Sequence, residues 1–594
     1  MIDFLDQRFL FWTVRSTKST GTKPPNETNL FLRVESPRMP NSAHDARPEP
    51  MSVSARWLRL FQPSHQHTAF SATVLLMTAM VLSRIVGYLR EAYTAWAFGA
   101  GSTTDAYIAA FQIPDFLAYL VAGGTISITF VSIYTRFLAE GKEKDAQKTF
   151  SVIITIMTLV LGIGVVLAEI FAPQITRLMF HHFSPEQLDL CVHLTRILLP
   201  AQILFYVGGV VSAVLSSRRL FLFPALGPLI YNAFIILGGV TLSHSFGIAS
   251  LAYGALAGTF VGPFLINAIG AARVGAGYRI SFDVRNSAFR EWVRMSIPLM
   301  IGVSLVSADD WILRYFASDS AGAISHINYA KRLLAVPIAI LGQAVGQASL
   351  PFFARLFGEN RMTEFADTVN GSVYRTAAAA LLATSLMMAA ALPLIDLVYR
   401  LPHGHFVFSD STATATYFFW FSVSLVFWAA QGLYARAFYA AGNTLTPMVA
   451  SSLITVVSIP MYGFLYHAFA SVGLALASDL GIAANCVAMA ILLHRRKLVR
   501  WNELQWKELG KAAAIAAVAG LLSYRVAGAI IVTGSRIADI EALGLIGITW
   551  AGAVTAGLWL TRSQLPGDLR RRKATVLPRA VERQADDLAR GIEP

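Results

Sequence analysis

Apolar runs of about twenty residues, separated by short polar stretches, recur from Ala69 to Leu560. Each run matches a hydrocarbon core about 30 Å thick at a rise of 1.5 Å per residue. About fourteen can be counted, which predicts an all-α polytopic membrane protein. The runs fall near 69–97, 104–138, 149–173, 186–216, 222–242 and 247–272, then near 291–317, 325–357, 365–399, 411–441, 445–466 and 470–494, with two more near 509–532 and 539–561. Residues 1–66 are polar, rich in proline and without periodicity, the pattern of a disordered cytoplasmic extension. The first apolar run starts too late and runs too long for a cleaved signal peptide, so it predicts the first permanent span. Met51 is an alternative initiator to Met1.

The second six runs repeat the first. "IPDFLAYLVAGG" (113–124) aligns with "VPIAILGQAVGQ" (336–347), which sets Pro114 on Pro337 and Gly123 on Gly346 at an offset of 223 residues. The same offset sets Gly209 on Gly432, Pro224 on Pro447, His244 on His467, Leu251 on Leu474 and Gly258 on Gly481. An even number of spans per copy leaves both copies facing the same way, so the halves predict parallel repeats about an axis along the membrane normal. The layout is then a first lobe at 67–273, an interfacial cytoplasmic linker at 274–290, a second lobe at 291–495, a basic loop with two further spans at 496–562, and a cytoplasmic tail at 563–594.

The net charge of +13 first suggests a polyanion partner, but its distribution argues otherwise. Alternate loops carry about twenty Lys and Arg on one side (such as Arg136 to Lys148, Arg273 to Arg294 and Arg495 to Lys511) and about three on the other (Arg177, Arg400, Arg536). That asymmetry reads as topology and anionic-lipid contact, with both termini cytoplasmic and no nucleic-acid partner. Cys191 and Cys486 sit in separate spans, and His181, His182, His403 and His405 lack a ligand pattern, so no disulfide or metal site is expected. Neither a G-x-x-x-x-G-K-[ST] loop nor a nucleophile triad stands out, and a transporter is expected rather than an enzyme.

Candidate chemistry lies in charges at membrane depth, each costing at least roughly 2.5 to 3.5 kcal/mol. In "LSRIVGYLREAYTAWAFGAGSTTDAY" (82–107), Arg84, Gly87 and Glu91 share one helix face, and Arg90 lies about 120° from Arg84. Asp105 opens the second span, either as the cap of its own helix or as a gating charge. In "VSADDWILRYF" (306–316), Asp310 and Arg314 are spaced to pair at i, i+4. Asp309 is thereby left as the candidate site for a coupling Na+ or proton. Lys331 and Arg332 precede Pro337. With Arg84 and Arg90 they would supply a lumen with four cations, suited to a pyrophosphate because guanidinium binds phosphate oxygens in pairs. Snorkelling to the interface is the competing role. Pro114 and Pro337 should bend their helices at equivalent places, around a lumen or simply for packing.

The stretch "SRIVGYLREAYTAWAFGAGSTTDAYIAAFQIPDFL" (83–117) resembles the N-terminal signature of the MurJ/MviN family of lipid II flippases, in the multidrug/oligosaccharidyl-lipid/polysaccharide exporter superfamily. The resemblance extends, more weakly, to about Arg562. It implies a fourteen-helix, two-lobed, MATE-like transporter in the bacterial cytoplasmic membrane, monomeric and without a cofactor. Such a protein moves an undecaprenyl-pyrophosphate-linked peptidoglycan precursor to the outer leaflet by alternating access, driven by membrane potential or a Na+ or H+ gradient. It implies substrate-binding roles for Arg84, Arg90 and Arg332, with Lys331 beside them, and gating or structural roles for Glu91 and Asp105. The chain departs from the family pattern after Pro114, where Ala118 and Tyr119 stand in place of an arginine pair and Ala122, Gly123 and Gly124 follow, and at Lys331, where an acidic residue is common. A flippase for another polyprenyl-linked oligosaccharide is therefore the alternative, ahead of a cation-coupled multidrug exporter or a non-transporting scaffold.

Overall fold

A computed structural model describes residues 69–122, 129–306, 308–529 and 535–570, and every extended regular element among them is a helix. The expected extension at 1–66, Gly123, Gly124 and the tail beyond 570 lie outside the described residues. The first half comprises α1 (Ala69–Phe98), α2 (Ser102–Ala110), α3 (Gln112–Ala122), α4 (Val131–Ala139), α5 (Glu143–Met179), α6 (Pro185–Ser217), α7 (Leu222–Phe246), α8 (Ala249–Thr259) and, after a π-helical stretch at Phe260–Ile266, α9 (Asn267–Arg273). The second half comprises α10 (Ser287–Val306), α11 (Ala308–Ala317), α12 (Ala323–Pro337), a π-helical stretch at Ile338–Ala344, α13 (Val345–Gly358), α14 (Met362–Ala389), α15 (Ala391–Tyr399), α16 (Phe408–Phe421), α17 (Ser424–Ala440) and α18 (Leu445–Arg495). Then follow α19 (Trp506–Ala529), α20 (Arg536–Leu560) and the short α21 (Leu565–Arg570).

Among the described residues, eight helices are long and apolar enough to cross a membrane. The number rises to ten if the pairs α14–α15, bent by 68°, and α16–α17, bent by 42°, are each one span. The chain is thus a multi-pass membrane protein, although fourteen spans are not established by length and apolarity alone. The expected span at 104–138 is broken at Phe111, between α2 and α3, and that at 291–317 is helical at 291–306 and 308–317, the described residues on either side of position 307.

At 51 residues, a straight α18 would measure roughly 75 Å, over twice a hydrocarbon core. It is divided at Ala470, whose φ of 49° and ψ of −129° are not helical. The two arms touch so closely that a Cβ on Gly473 would lie 1.9 Å from the Leu465 carbonyl oxygen. This break falls at the first residue of the span expected at 470–494, next to the gap after 445–466.

The backbone repeats the duplication seen in the sequence. Positive φ recurs at Gly99 (70°) and Gly322 (83°), at Arg219 (63°) and Gly442 (73°), and at Gly247 (53°) and Ala470 (49°). The members of each pair are 223 residues apart. A left-handed residue is set by a particular turn, so three pairs in one register mark equivalent turns in two copies. Apolar packing follows the same division. One cluster gathers Phe150, Leu199, Val210 and Trp292, mostly from the first half, and another Phe353, Phe365, Leu433 and Met489 from the second. A third, containing Tyr107, Leu198, Leu313, Tyr329 and Leu474, joins the halves. The linker at 274–286 lies along α5, where Tyr278 Oη is 3.1 Å from Thr155 Oγ1 and Lys148 pairs with Asp283 at 2.8 Å. The ammonium holds the Asp283 carboxyl below its ordinary value.

Candidate functional site

α1 faces α7 of its own half and α12 of the other, and a cavity of about 580 Å³ opens between them. Glu91 is its hub. The carboxylate is buried; its Oε1 accepts from Arg90 Nη2 at 2.5 Å and lies 3.3 Å from Arg332 Nε, while its Oε2 accepts from Asn328 Nδ2 at 3.2 Å. Arg332 and Asn328 are one turn apart on α12, so a single face of the second repeat presents both groups to one residue of the first. Arg90 also donates through Nη1 to Asn232 Oδ1 at 2.9 Å. The Asn232 amide is oriented by its own helix, donating to the Pro228 carbonyl oxygen at 2.9 Å. Gly87 faces this amide, and a Cβ there would stand 4.0 Å from it, in ordinary van der Waals contact.

Arg84, Arg90, Glu91 and Arg332 therefore line one chamber, together with Asp115, Arg314, Tyr107 and Tyr231. Arg84 and Arg314 make no side-chain hydrogen bond or ion pair among the described residues, and the Arg332 side chain is 51% exposed. Four guanidiniums face two carboxylates, an excess of two positive charges.

Lys331 is absent from this lining. It bonds Asp310 Oδ1 at 2.7 Å and stands 3.8 Å from Asp309 Oδ2. Asp310 is thus taken by Lys331, not by Arg314, and the i, i+4 partner inferred from spacing is released into the chamber. Asp309 has partners too: Tyr462 Oη donates to its Oδ1 at 2.6 Å. Asp105 caps a helix of the other repeat rather than its own. Its oxygens accept from Gly322 N at 2.6 Å, Ser325 N at 2.7 Å and Ser325 Oγ at 2.5 Å, at the start of α12. Around it Tyr329 Oη donates to the Gly99 carbonyl at 3.1 Å, Trp96 Nε1 to that of Pro402 at 3.0 Å and His405 N to that of Trp96 at 2.8 Å. These contacts shut one end of the chamber. Pro114 lies in the first turn of α3, just after the break at Phe111, and Pro337 ends α12 where the π-helical stretch begins. The His181 and His182 rings lie with centroids 3.7 Å apart and tilted by 39°, and no group of three or more His, Cys, Asp or Glu among the described residues is placed to hold a metal ion.

Asp115, Asn232, Asn328 and Arg314 were not foreseen as chamber residues. Asp115 carried a usable signal, being an acid inside a span directly after a proline; Asn232 and Asn328 carried none beyond a polar residue in an apolar run.

Two parallel helical repeats around a cationic chamber define a two-lobed membrane exporter. The fold agrees: a solved structure titled "Lipid II flippase MurJ, inward closed conformation" superposes with a TM-score of 0.68 at 21% identity, covering 82% of this chain and 99% of that one. An inward-facing multidrug resistance MATE family transporter gives 0.58 at 14% identity, covering 72% and 98%. The lipid II flippase MurJ family profile matches residues 94–538, and the chain belongs to that family. A probable lipid II flippase MurJ from Buchnera aphidicola subsp. Acyrthosiphon pisum is 27% identical over 72% of this chain and 84% of its own length. The lipid II flippase MurJ of Burkholderia cenocepacia is 26% identical over the same shares. The profile match starts after Glu91, so Arg84, Arg90 and Glu91 lie outside it while their partners Asn232, Asn328 and Arg332 lie within it.

Proposed function

We propose that this protein is a lipid II flippase, a transporter and not an enzyme, which carries the undecaprenyl-pyrophosphate-linked precursor across the bacterial cytoplasmic membrane by alternating access. The observation that carries this reading is the charge of the chamber. A pyrophosphate diester bears two negative charges, and the chamber has two guanidiniums in excess of its carboxylates. Arg84 and Arg314, which have no hydrogen-bond or ion-pair partner among the described residues, take the phosphates first. Arg332 swings from Glu91 to join them, while Arg90 stays with Glu91 and Asn232 as the fixed wall. The closed end around Asp105 is the outer one, both termini are cytoplasmic, and the protein works as a monomer without nucleic acid. Membrane potential or a Na+ or H+ gradient drives the cycle, with Asp309 as the candidate coupling group.

Binding of the purified protein to lipid II, to undecaprenyl phosphate sugars and to cationic dyes tests the proposal. Lipid II should bind most tightly and lose about tenfold or more when Arg84 becomes Ala. Preference for a different polyprenyl-linked sugar would favour the alternative substrate raised by Ala118 and Tyr119; preference for the dyes would overturn the assignment.

A further inference from the structure

A second cavity, of about 630 Å³, lies against α3, α5 and α11. Its walls are apolar except for Gln112 and Gln174. Along α5 the lining residues Leu167, Phe171 and Leu178 are exposed, whereas Gln112 and Ile113 are buried, so the cavity runs inward from the lipid-facing surface. Room remains inside it, since a Cβ on Gly164 would meet only Leu117 Cδ2, at 3.6 Å.

This cavity and the cationic chamber share two walls. Asp115 of α3 and Arg314 of α11 line the chamber, while Phe116 and Trp311, on adjoining faces of the same helices, line the apolar cavity. The two rings meet edge to face with centroids 5.1 Å apart. Because α3 belongs to the first repeat and α11 to the second, this contact bridges the seam between them. A cationic chamber and an apolar cavity on either side of one seam complement a molecule with an anionic head and a long apolar chain.

We infer that the polyprenyl chain of the substrate passes the Phe116–Trp311 contact and lies in this apolar cavity while its diphosphate occupies the chamber. The inference rests on the lipid-linked diphosphate reading above. A chain already in the bilayer gains little by moving into an apolar protein site. The cavity acts instead by fixing where the tail leaves the chamber, and so how the head is turned toward the guanidiniums. An ordinary bilayer acyl chain is the competing occupant.

The test uses the full chain in phosphatidylethanolamine–phosphatidylglycerol vesicles, a short polyprenyl diphosphate with a photoreactive diazirine at its tail end, and a tail-less methyl diphosphate. In the wild type, crosslinks should concentrate on 164–179, and excess tail-less diphosphate should suppress them. Gly164→Phe and Ala168→Leu, which fill the cavity from α5, should each reduce that labelling about tenfold. Both should bind the tail-less probe as the wild type does, which also reports that they fold. Labelling spread evenly over the lipid-facing helices, or unchanged in both variants, would assign the cavity to bilayer lipid and overturn the inference alone. A wild type unable to bind the tail-less diphosphate would overturn the chamber assignment, and the inference with it.

Discussion

Glu91 joins α1 to α12 through one carboxylate and holds the Arg90 that reaches α7, and its replacements separate structure from transport. Removing one partner of a buried ion pair leaves the other charge uncompensated and costs about 3–5 kcal/mol. Glu91→Ala should therefore lower the melting temperature of the purified protein strongly, because Arg90 keeps only Asn232. Arg84→Ala removes an exposed side chain with no hydrogen-bond or ion-pair partner among the described residues, so it should leave the melting temperature nearly unchanged while abolishing rescue of a flippase-depleted strain. If both variants melt alike, Glu91 is not the hub described here. Arg84, Arg90, Glu91 and Arg332 were legible because a charge in an apolar run is costly wherever it sits. Their partners were not, since Asn232 and Asn328 reach Arg90 and Glu91 across 142 and 237 residues of chain. Arg314 was misjudged for the opposite reason: a local i, i+4 rule paired it with Asp310, and a lysine 21 residues away took that carboxylate instead.

At the level of elements, the turn shared by Gly247 and Ala470 offers a symmetric experiment. Both residues have φ near +50° and ψ near −130°, a region open to glycine and strained by about 1–3 kcal/mol for other residues. The first repeat has the residue that suits this turn and the second does not. Ala470→Gly should raise the thermal stability of the detergent-solubilised protein, and Gly247→Ala should lower it; effects of the same sign would show that the two turns are not equivalent. Helix positions were readable from apolar runs, and the division of α18 was anticipated by the gap between two of them. The break at Phe111 within 104–138 was not, because an interrupted helix and a continuous one share the same composition when neighbouring helices satisfy the freed backbone groups.

Across the whole molecule, the duplication was visible in the sequence as an offset of 223 residues, but the use made of it was not. The register sets Glu91 on Arg314 and Asp105 on Asn328, so equivalent positions carry opposite charge or lose it. The copies have thus become complementary: Asp105 caps the second repeat, and Asn328 bonds the acid of the first. The strength of these ties sets the resting state. At the outer end of the proposed orientation, Asp105 is buried and accepts three hydrogen bonds, each worth about 1.5–3 kcal/mol because a charge is involved. At the other end, Arg136 of the first repeat meets Glu291 of the second at 2.7 Å with both side chains more than a third exposed, and such pairs contribute about 0.2–1 kcal/mol. In polar ties the outer closure is therefore the stronger, while the inner end also holds Phe289 and Trp292 among first-repeat side chains; the prediction from the polar ties is a protein that rests closed to the outside and opens inward. Joining Asp105→Cys to Ser325→Cys by oxidation, in a chain whose native Cys191 and Cys486 are replaced by Ala, should hold the outer end shut and stop lipid II transport until the link is reduced. Arg136→Ala should change transport by less than about fivefold, in keeping with the small worth of an exposed pair. If Arg136→Ala stops transport and the crosslinked protein still flips lipid II, the balance of the two ends is the reverse of that argued here.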